Sequence, residues 1–377
     1  MQIPRSVESK IKKFLQPNKV IVIYGPRRVG KTTLLNQILK KEEKKDYLFL
    51  SGEDRNAREW LESQSIQTLK ENIGSKKLLV IDEAQKVNQI GLSLKLIVDH
   101  IKGIKVIATG SSSFELANQV GEPLVGRKWQ IHLYPVAQIE LNRIEDRIET
   151  ASNLENRLIY GSYPEIVTKK TMELKKQLLN SLVDNYLYRD LLELEDIKKS
   201  RKILDLLKLL AFQIGKEVSL NEVGNSLNLN QKTVEKYLDL LEKVFVLKKV
   251  YGFSRNLRKE INKTSRYYFY DNGIRNAVIN NFNNLKTRND TGQLWENYLF
   301  IERMKKQEYQ SIFANNYFWR TYDRKEIDLV EERDGKLYGF EFKWGDKKPK
   351  VPSGWLENYK EASFEVVNRR NYLKFIG

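Results

Sequence analysis

Residues 20–35 read Val-Ile-Val-Ile-Tyr-Gly-Pro-Arg-Arg-Val-Gly-Lys-Thr-Thr-Leu-Leu and constrain the fold more than any other stretch. An apolar β-branched run stops at Gly25, and Pro26, Arg27, Arg28, Val29, Gly30, Lys31 and Thr32 complete the spacing G-x-x-x-x-G-K-[ST]. Thr33 then leads into a helical pattern in which Leu34, Leu35, Ile38 and Leu39 share a face. Strand, glycine loop and helix in that order predict a phosphate-binding loop. Glycines at 25 and 30 let successive N–H groups turn inward, toward an anion at the positive end of the helix. Lys31 would reach the outer phosphates of ATP and Thr32 would offer its hydroxyl to Mg2+.

At 377 residues the chain is longer than one ordinary core, so two or three domains are expected. Its residues are 41% hydrophobic and 31% charged, with no apolar run of membrane-spanning length and no signal-peptide pattern. A soluble, cytoplasmic protein without a membrane partner is the expectation. There is no cysteine, and the two histidines are His100 and His132, which excludes disulfides and a structural zinc site. Any metal must therefore be held by oxygen. The net charge of +17 suggests a polyanionic partner. Residues 198–266 hold 16 Lys and Arg against 7 Asp and Glu, so DNA should meet the chain there.

Further apolar runs at 47–50, 78–81, 106–108 and 129–136, with helical stretches between several of them, imply a parallel sheet covered on both faces. The run at 78–81 delivers Asp82 and Glu83 at its C-terminal end, where open α/β sheets bind ligands. Asp82 would hold Mg2+ through water and Glu83 would orient the attacking water. The run at 104–113 ends in small polar residues, of which Thr109 or Ser111 could hold that water. Alternatively the Ser/Thr group caps a helix entering Phe114-Glu115-Leu116.

These segments, with Pro123-Leu124-Val125-Gly126-Arg127 and Leu133-Tyr134-Pro135-Val136, closely resemble the AAA-plus P-loop ATPases of a bacterial and archaeal group. In that group the ATPase is joined to a winged helix and a C-terminal PD-(D/E)xK nuclease-like domain. The resemblance implies an extra strand between the phosphate-loop strand and the acid strand, for which residues 47–50 are the candidate. It also implies that Arg127 acts as an arginine finger or sensor on the γ-phosphate, in the same chain or in a neighbouring subunit of a homo-oligomer. The alternative is a surface arginine beside Lys128.

The architecture expected is α/β. A P-loop parallel-sheet core at 1–145 precedes a helical lid and connector at 146–197, a winged helix-turn-helix at 198–284 and a small α/β restriction-endonuclease-like domain at 285–377. The winged helix rests on three helical stretches followed by an apolar strand pair, with Ser219 placed to cap the second helix. Lys232 and Lys236 would lie on the exposed side of the third helix and contact DNA phosphates. Polar residues 280–284 and 288–290 read as a linker. In the last domain Asp328, Glu341 and Lys343 match the D…E-x-K pattern, with Glu296 on a preceding helix. In such folds the carboxylates hold Mg2+ and the lysine helps activate water. The expected activity is Mg2+-dependent ATP hydrolysis with DNA binding, and with cleavage or other processing of the DNA if the C-terminal domain is active. The alternative is an ATP-driven switch or scaffold whose C-terminal domain is inactive.

Overall fold

Five-residue strands of almost pure Val, Ile and Leu are fully buried only where helices cover both faces of a sheet, and the N-terminal part of the chain is built that way. The computed structural model describes residues 3–110, 123–187, 200–254, 265–321, 325–346 and 349–377. Strands β1 (Val20–Tyr24), β2 (Tyr47–Ser51), β3 (Leu78–Asp82), β4 (Lys105–Gly110) and β5 (Lys128–His132) form one sheet in the order β2-β3-β4-β1-β5. Every pairing is parallel, and Val106 of β4 stands between Val20 of β1 and Leu79 of β3. All five residues of β1 and of β3 are buried, whereas β2, at the edge, is half-buried throughout. This corrects the expectation for residues 47–50. The strand between the phosphate-loop strand and the acid strand is β4, because a crossover helix can carry the chain past a neighbour before it pairs.

The chain divides into two compact units. One comprises Pro4–Tyr134 with Lys243–Phe245, and the other Met1–Ile3, Pro135–Glu242 and Val246–Gly377. The second unit opens with the helices Gln138–Leu141, Arg147–Tyr160, Pro164–Thr168 and Met172–Ser181. The helices Ser200–Phe212, Leu220–Leu227 and Gln231–Lys243 follow, and Ser219 caps the second of them by accepting the Glu222 N–H at 3.4 Å. Strands β6 (Glu217–Val218), β7 (Leu247–Gly252) and β8 (Ser265–Phe269) then join β9 (Asn315–Arg320), β10 (Glu326–Arg333), β11 (Lys336–Phe342) and β12 (Ser363–Val367) in one seven-stranded sheet. Its order is β12-β11-β10-β9-β7-β8-β6. Strands β7 and β9 pair in parallel, Tyr251 with Tyr317 and Gly252 with Phe318.

The compact units and the sheet cut across the expected boundaries. Residues 198–284 and 285–377 contribute strands to one sheet. The first unit ends at Tyr134 rather than 145, and the helices expected as a separate lid belong to the second unit. There Asn276 donates its side-chain amide to the carbonyls of Leu158 and Ile159 at 3.1 and 2.8 Å. Within the expected linker the Arg288 side chain is buried, and Asp290 accepts from Arg275 at 2.6 Å and from Arg288 at 2.7 Å, while Asn280, Asn283, Asn284 and Asn289 are exposed.

Candidate functional site

The glycine loop closes where β1 ends. A Cβ at Gly25 would lie 2.2 Å from the Leu133 carbonyl oxygen, so no other residue fits this crossing without moving backbone. Arg28 and Gly30 adopt left-handed conformations, φ 62° and 93°, and turn the loop into the helix Lys31–Leu39. Lys31 is buried and its Nζ donates to the carbonyls of Gly25 and Pro26 at 2.9 and 3.0 Å, across the mouth of the loop. A residue the sequence reading missed braces this geometry. Arg5, itself buried, donates to the Val29 carbonyl at 2.7 Å and to that of Tyr134 at 2.6 Å.

The C-terminal ends of β3 and β4 meet the helix start at Asp82. Thr32 Oγ1 donates to Asp82 Oδ2 at 2.6 Å, and Thr109 Oγ1 donates to Asp82 Oδ1. The Glu83 N–H in turn reaches Thr109 Oγ1 at 3.1 Å. Of the two polar candidates after β4, Thr109 thus touches the acid pair; Ser111 lies outside the described residues. Glu83 takes a left-handed backbone, φ 51°, and its Oε2 accepts from Gln85 Nε2 at 2.5 Å. Gly52 passes so close beneath that a Cβ there would stand 2.3 Å from the Glu83 carbonyl oxygen. Thr32 hydroxyl and Asp82 carboxylate are hard oxygen donors of the kind Mg2+ selects, and Lys31 with the loop amides suits polyphosphate. The residues present therefore fit MgATP.

Arg127 is elsewhere. It immediately precedes β5, whose first residue pairs with Val20 at the start of β1, and its Nε donates to Asp99 at 2.7 Å. A five-residue strand separates that end of the sheet from the phosphate loop, about 16 Å. Within one chain Arg127 does not reach the γ-phosphate position.

In the second unit a cavity of about 560 Å3 is lined by Glu296, Asp328 and Lys343 among others. Glu296 projects from the helix Thr291–Gln310. A register shift in β10 between Ile327 and Val330 re-aims Asp328, whose Oδ2 accepts the Phe342 N–H at 2.8 Å. Glu341 is buried, with Oε1 taking Lys343 Nζ at 2.5 Å. Burial pushes Glu296 up to about 7 against the pull of Arg266, and burial with the charges of Glu296 and Glu341 holds Asp328 well above the usual carboxylate range. Burial opposes the Lys343 charge, but the hydrogen bond to Glu341 together with the charges of Glu341, Asp328 and Glu326 outweighs it and raises its pKa.

The sequence reading did not include the cation at the centre of this group. Arg266 of β8 is buried, with its Nη atoms 3.6 Å from Glu296, 2.8 Å from Glu326 and 3.8 Å from Asp328. Tyr268, two residues on and so on the same face, donates its hydroxyl to Glu296 at 2.7 Å. The one signal in the sequence is an arginine immediately before the aromatic run 267–270. Among the described residues no group of three or more Asp, Glu, His or Cys stands close enough to hold a metal ion. As arranged, the expected set Glu296, Asp328 and Glu341 does not fit one. Lys232 and Lys236 are exposed on the helix Gln231–Lys243, whose Val234, Tyr237, Leu238 and Leu241 are buried.

Comparison with known proteins places an AAA domain over residues 17–142, a domain of unknown function, DUF8612, over 151–285 and another, DUF4143, over 291–373. An uncharacterized protein of Methanocaldococcus jannaschii is 26% identical over 350 residues, covering 87% of this chain and 74% of that one. One of Mycobacterium tuberculosis is 24% identical, covering 90% and 73%. Among solved structures, the Pif1 helicase of Candida albicans is similar at 16% identity and a TM-score of 0.28, over 49% of this chain and 55% of the helicase. No described helix is long and apolar enough to cross a membrane. The chain thus carries an AAA-type P-loop ATPase domain, with the nucleotide binding that implies, followed by a C-terminal domain of the DUF4143 type.

Proposed function

We propose that the chain hydrolyses ATP with Mg2+ and uses the cycle to control a DNA-contacting second unit. One observation carries the first half: Thr32, Asp82 and Thr109, from three separate segments, form a continuous hydrogen-bonded row beside Lys31. When bound, Mg2+ would neutralise charge on the β- and γ-phosphate oxygens. Thr32 and Asp82 are the residues to hold it, Lys31 to bind the outer phosphates, and Glu83, steadied by Gln85, to orient water. Arg127 would serve as a finger only on the nucleotide of a second copy of the chain.

The three helices of residues 200–243 with the β6-β8-β7 ribbon match the element order of a winged helix-turn-helix. In this reading Lys232 and Lys236 meet phosphates rather than bases, so affinity is salt-dependent and weakly sequence-selective. For the C-terminal domain, the position of Arg266 among the carboxylates favours the switch or scaffold reading over a nuclease.

The test is ATP turnover with and without DNA. Lys31→Ala should lose at least about a hundredfold in kcat. Lys232→Ala/Lys236→Ala should weaken DNA binding and reduce its logarithmic salt slope by about 1.8. Turnover unchanged in the first variant would sink the ATPase reading, and an unchanged salt slope in the second would move the DNA contact elsewhere.

A further inference from the structure

The cavity of the second unit contains a contradiction between its sequence pattern and its charges. Glu296, Asp328 and Glu341 stand in the order of a metal-binding set, yet the cation beside Glu296 and Asp328 is a side chain of the same chain. Arg266 does not arise from the helix or strands that carry that pattern. It comes from β8, which pairs Arg266 with Val250 of β7 and with Glu217 of β6. The guanidinium lies over the Phe318 ring, 4.5 Å from its centroid, so stem and head are both held. Two buried polar atoms remain unsatisfied, Arg266 Nε and Glu341 Oε2. Glu341 as a residue is 7% exposed, and its charge is felt at both Glu296 and Asp328. A carboxylate oxygen buried without a donor is costly, and here it stays so while the neighbouring carboxylates are shared out to an arginine.

We propose that Arg266, hydrogen-bonded to Glu326, is also the resident counter-cation of Glu296 and Asp328 and competes with any divalent metal for those two, so that the C-terminal domain is locked against metal by a residue of the β6-β8-β7 ribbon. The inference rests on reading the carboxylates as a candidate metal set and is independent of the nucleotide site. Two consequences follow from charge alone. A divalent ion entering beside Glu296 and Asp328 would face the guanidinium at close range in a buried site, where repulsion is poorly screened. An arginine cannot relieve that by losing its proton, and the acidic neighbours hold this one above even its ordinary pKa despite burial. Metal can enter only if β8 shifts or Arg266 turns away. The ribbon belongs to the same winged helix-turn-helix arrangement as Lys232 and Lys236, so the lock sits in the module proposed to meet DNA.

The decisive measurement is Mn2+ binding, read as water-proton relaxation enhancement without nucleotide. All arms carry Asp82→Asn so that the first unit contributes no site. With Arg266 intact, no saturable binding is expected at millimolar Mn2+. Arg266→Gln, which keeps the polar head without charge, should bind one Mn2+ at least about tenfold more tightly than that parent, since a like charge is removed from beside the ion. Adding Asp328→Asn should abolish the gain. Arg266→Met, which keeps the stem over Phe318, is the second variant, and either one that retains the parent's circular dichroism decides. Saturable binding in the parent that Asp328→Asn removes would overturn the proposal, as would a folded Arg266→Gln or Arg266→Met protein with unchanged Mn2+ affinity. Failure of the ATPase reading would appear in Lys31→Ala turnover and leave these outcomes untouched.

Discussion

Thr32 and Asp82 are 50 residues apart and share a 2.6 Å hydrogen bond, hydroxyl to carboxylate, at the mouth of the phosphate loop. Asp82 is 6% exposed and its second oxygen is taken by Thr109, so the carboxylate is fixed from both sides before any ligand arrives. Such preorganisation spares the site a reorganisation at the moment of reaction. Thr32→Val keeps the branched shape but removes the hydroxyl. It is expected to lower kcat for ATP by about 10²–10³ while nucleotide binding measured in EDTA stays near wild type. Thr32→Ser should restore most of the turnover, and equal loss in both variants would mean the threonine acts through packing alone.

Gly25 offers a test of the loop as a folded object. A methyl group added there meets the Leu133 carbonyl oxygen at 2.2 Å, a backbone atom that cannot swing away. Gly25→Ala should cost about 1–3 kcal/mol in urea unfolding and abolish nucleotide binding, because relief requires separating the loop from the segment after β5. Gly292→Ala is the control. Its Cβ would meet nothing within 4 Å, and it lies in the helix Thr291–Gln310, where alanine replaces glycine with a gain of up to about 1 kcal/mol.

Asp271 predicts a pH dependence of stability in the second unit. It is buried at the start of the helix Asn272–Val278 and accepts the N–H groups of Ser162 at 2.7 Å, Gly273 at 2.8 Å and Ile274 at 3.2 Å. Burial pushes its carboxyl up to about 6 from an ordinary 3.8, the amides pulling only part of the way back. Between those values the folded chain binds more protons than the unfolded one, so stability falls as pH rises through the window. The contribution is on the order of 2–3 kcal/mol, present at pH 4 and lost by about pH 6.5. Melting temperatures of wild type and Asp271→Asn, compared from pH 4 to 7, should show a steeper decline in wild type. Parallel curves would mean that the three amides keep the carboxylate ionised throughout.

How much of this could be read in the sequence depended on how local the determinant was. The phosphate loop is specified within eight residues by glycines that the backbone needs and a lysine that the ligand needs, so 25–32 could be read directly. Lateral strand order is not local. Residues 47–50 are as apolar as β4, and only the half-burial of β2 distinguishes an edge from a centre. Arg288 and Asp290 looked solvated because polarity alone does not reveal that Arg275, a helix away in sequence, closes the pair. Arg266 was the hardest: its meaning lies in carboxylates 30 and 62 residues downstream, one on a helix and one on a strand that does not pair with β8, an arrangement that no period in the sequence announces.

The join between β7 and β9 makes a final prediction. Phe253, one residue beyond β7, donates its N–H to the Phe318 carbonyl at 2.6 Å and packs in a buried cluster with Trp319, Ile327, Val330, Leu337 and Trp355. Its ring stands 6.5 Å from Trp355 and 5.3 Å from Tyr359 in edge-on geometry, so it contributes aromatic contacts as well as buried area. Phe253→Ala should cost about 3–5 kcal/mol. If the seven-stranded sheet behaves as one cooperative body, hydrogen exchange in the helices at 200–243 and in β10 and β11 should accelerate together. Acceleration confined to β9, β10 and β11 would instead mean that the ribbon and the C-terminal strands open independently, and that the expected boundary at 284 has a dynamic meaning although the strands are paired across it.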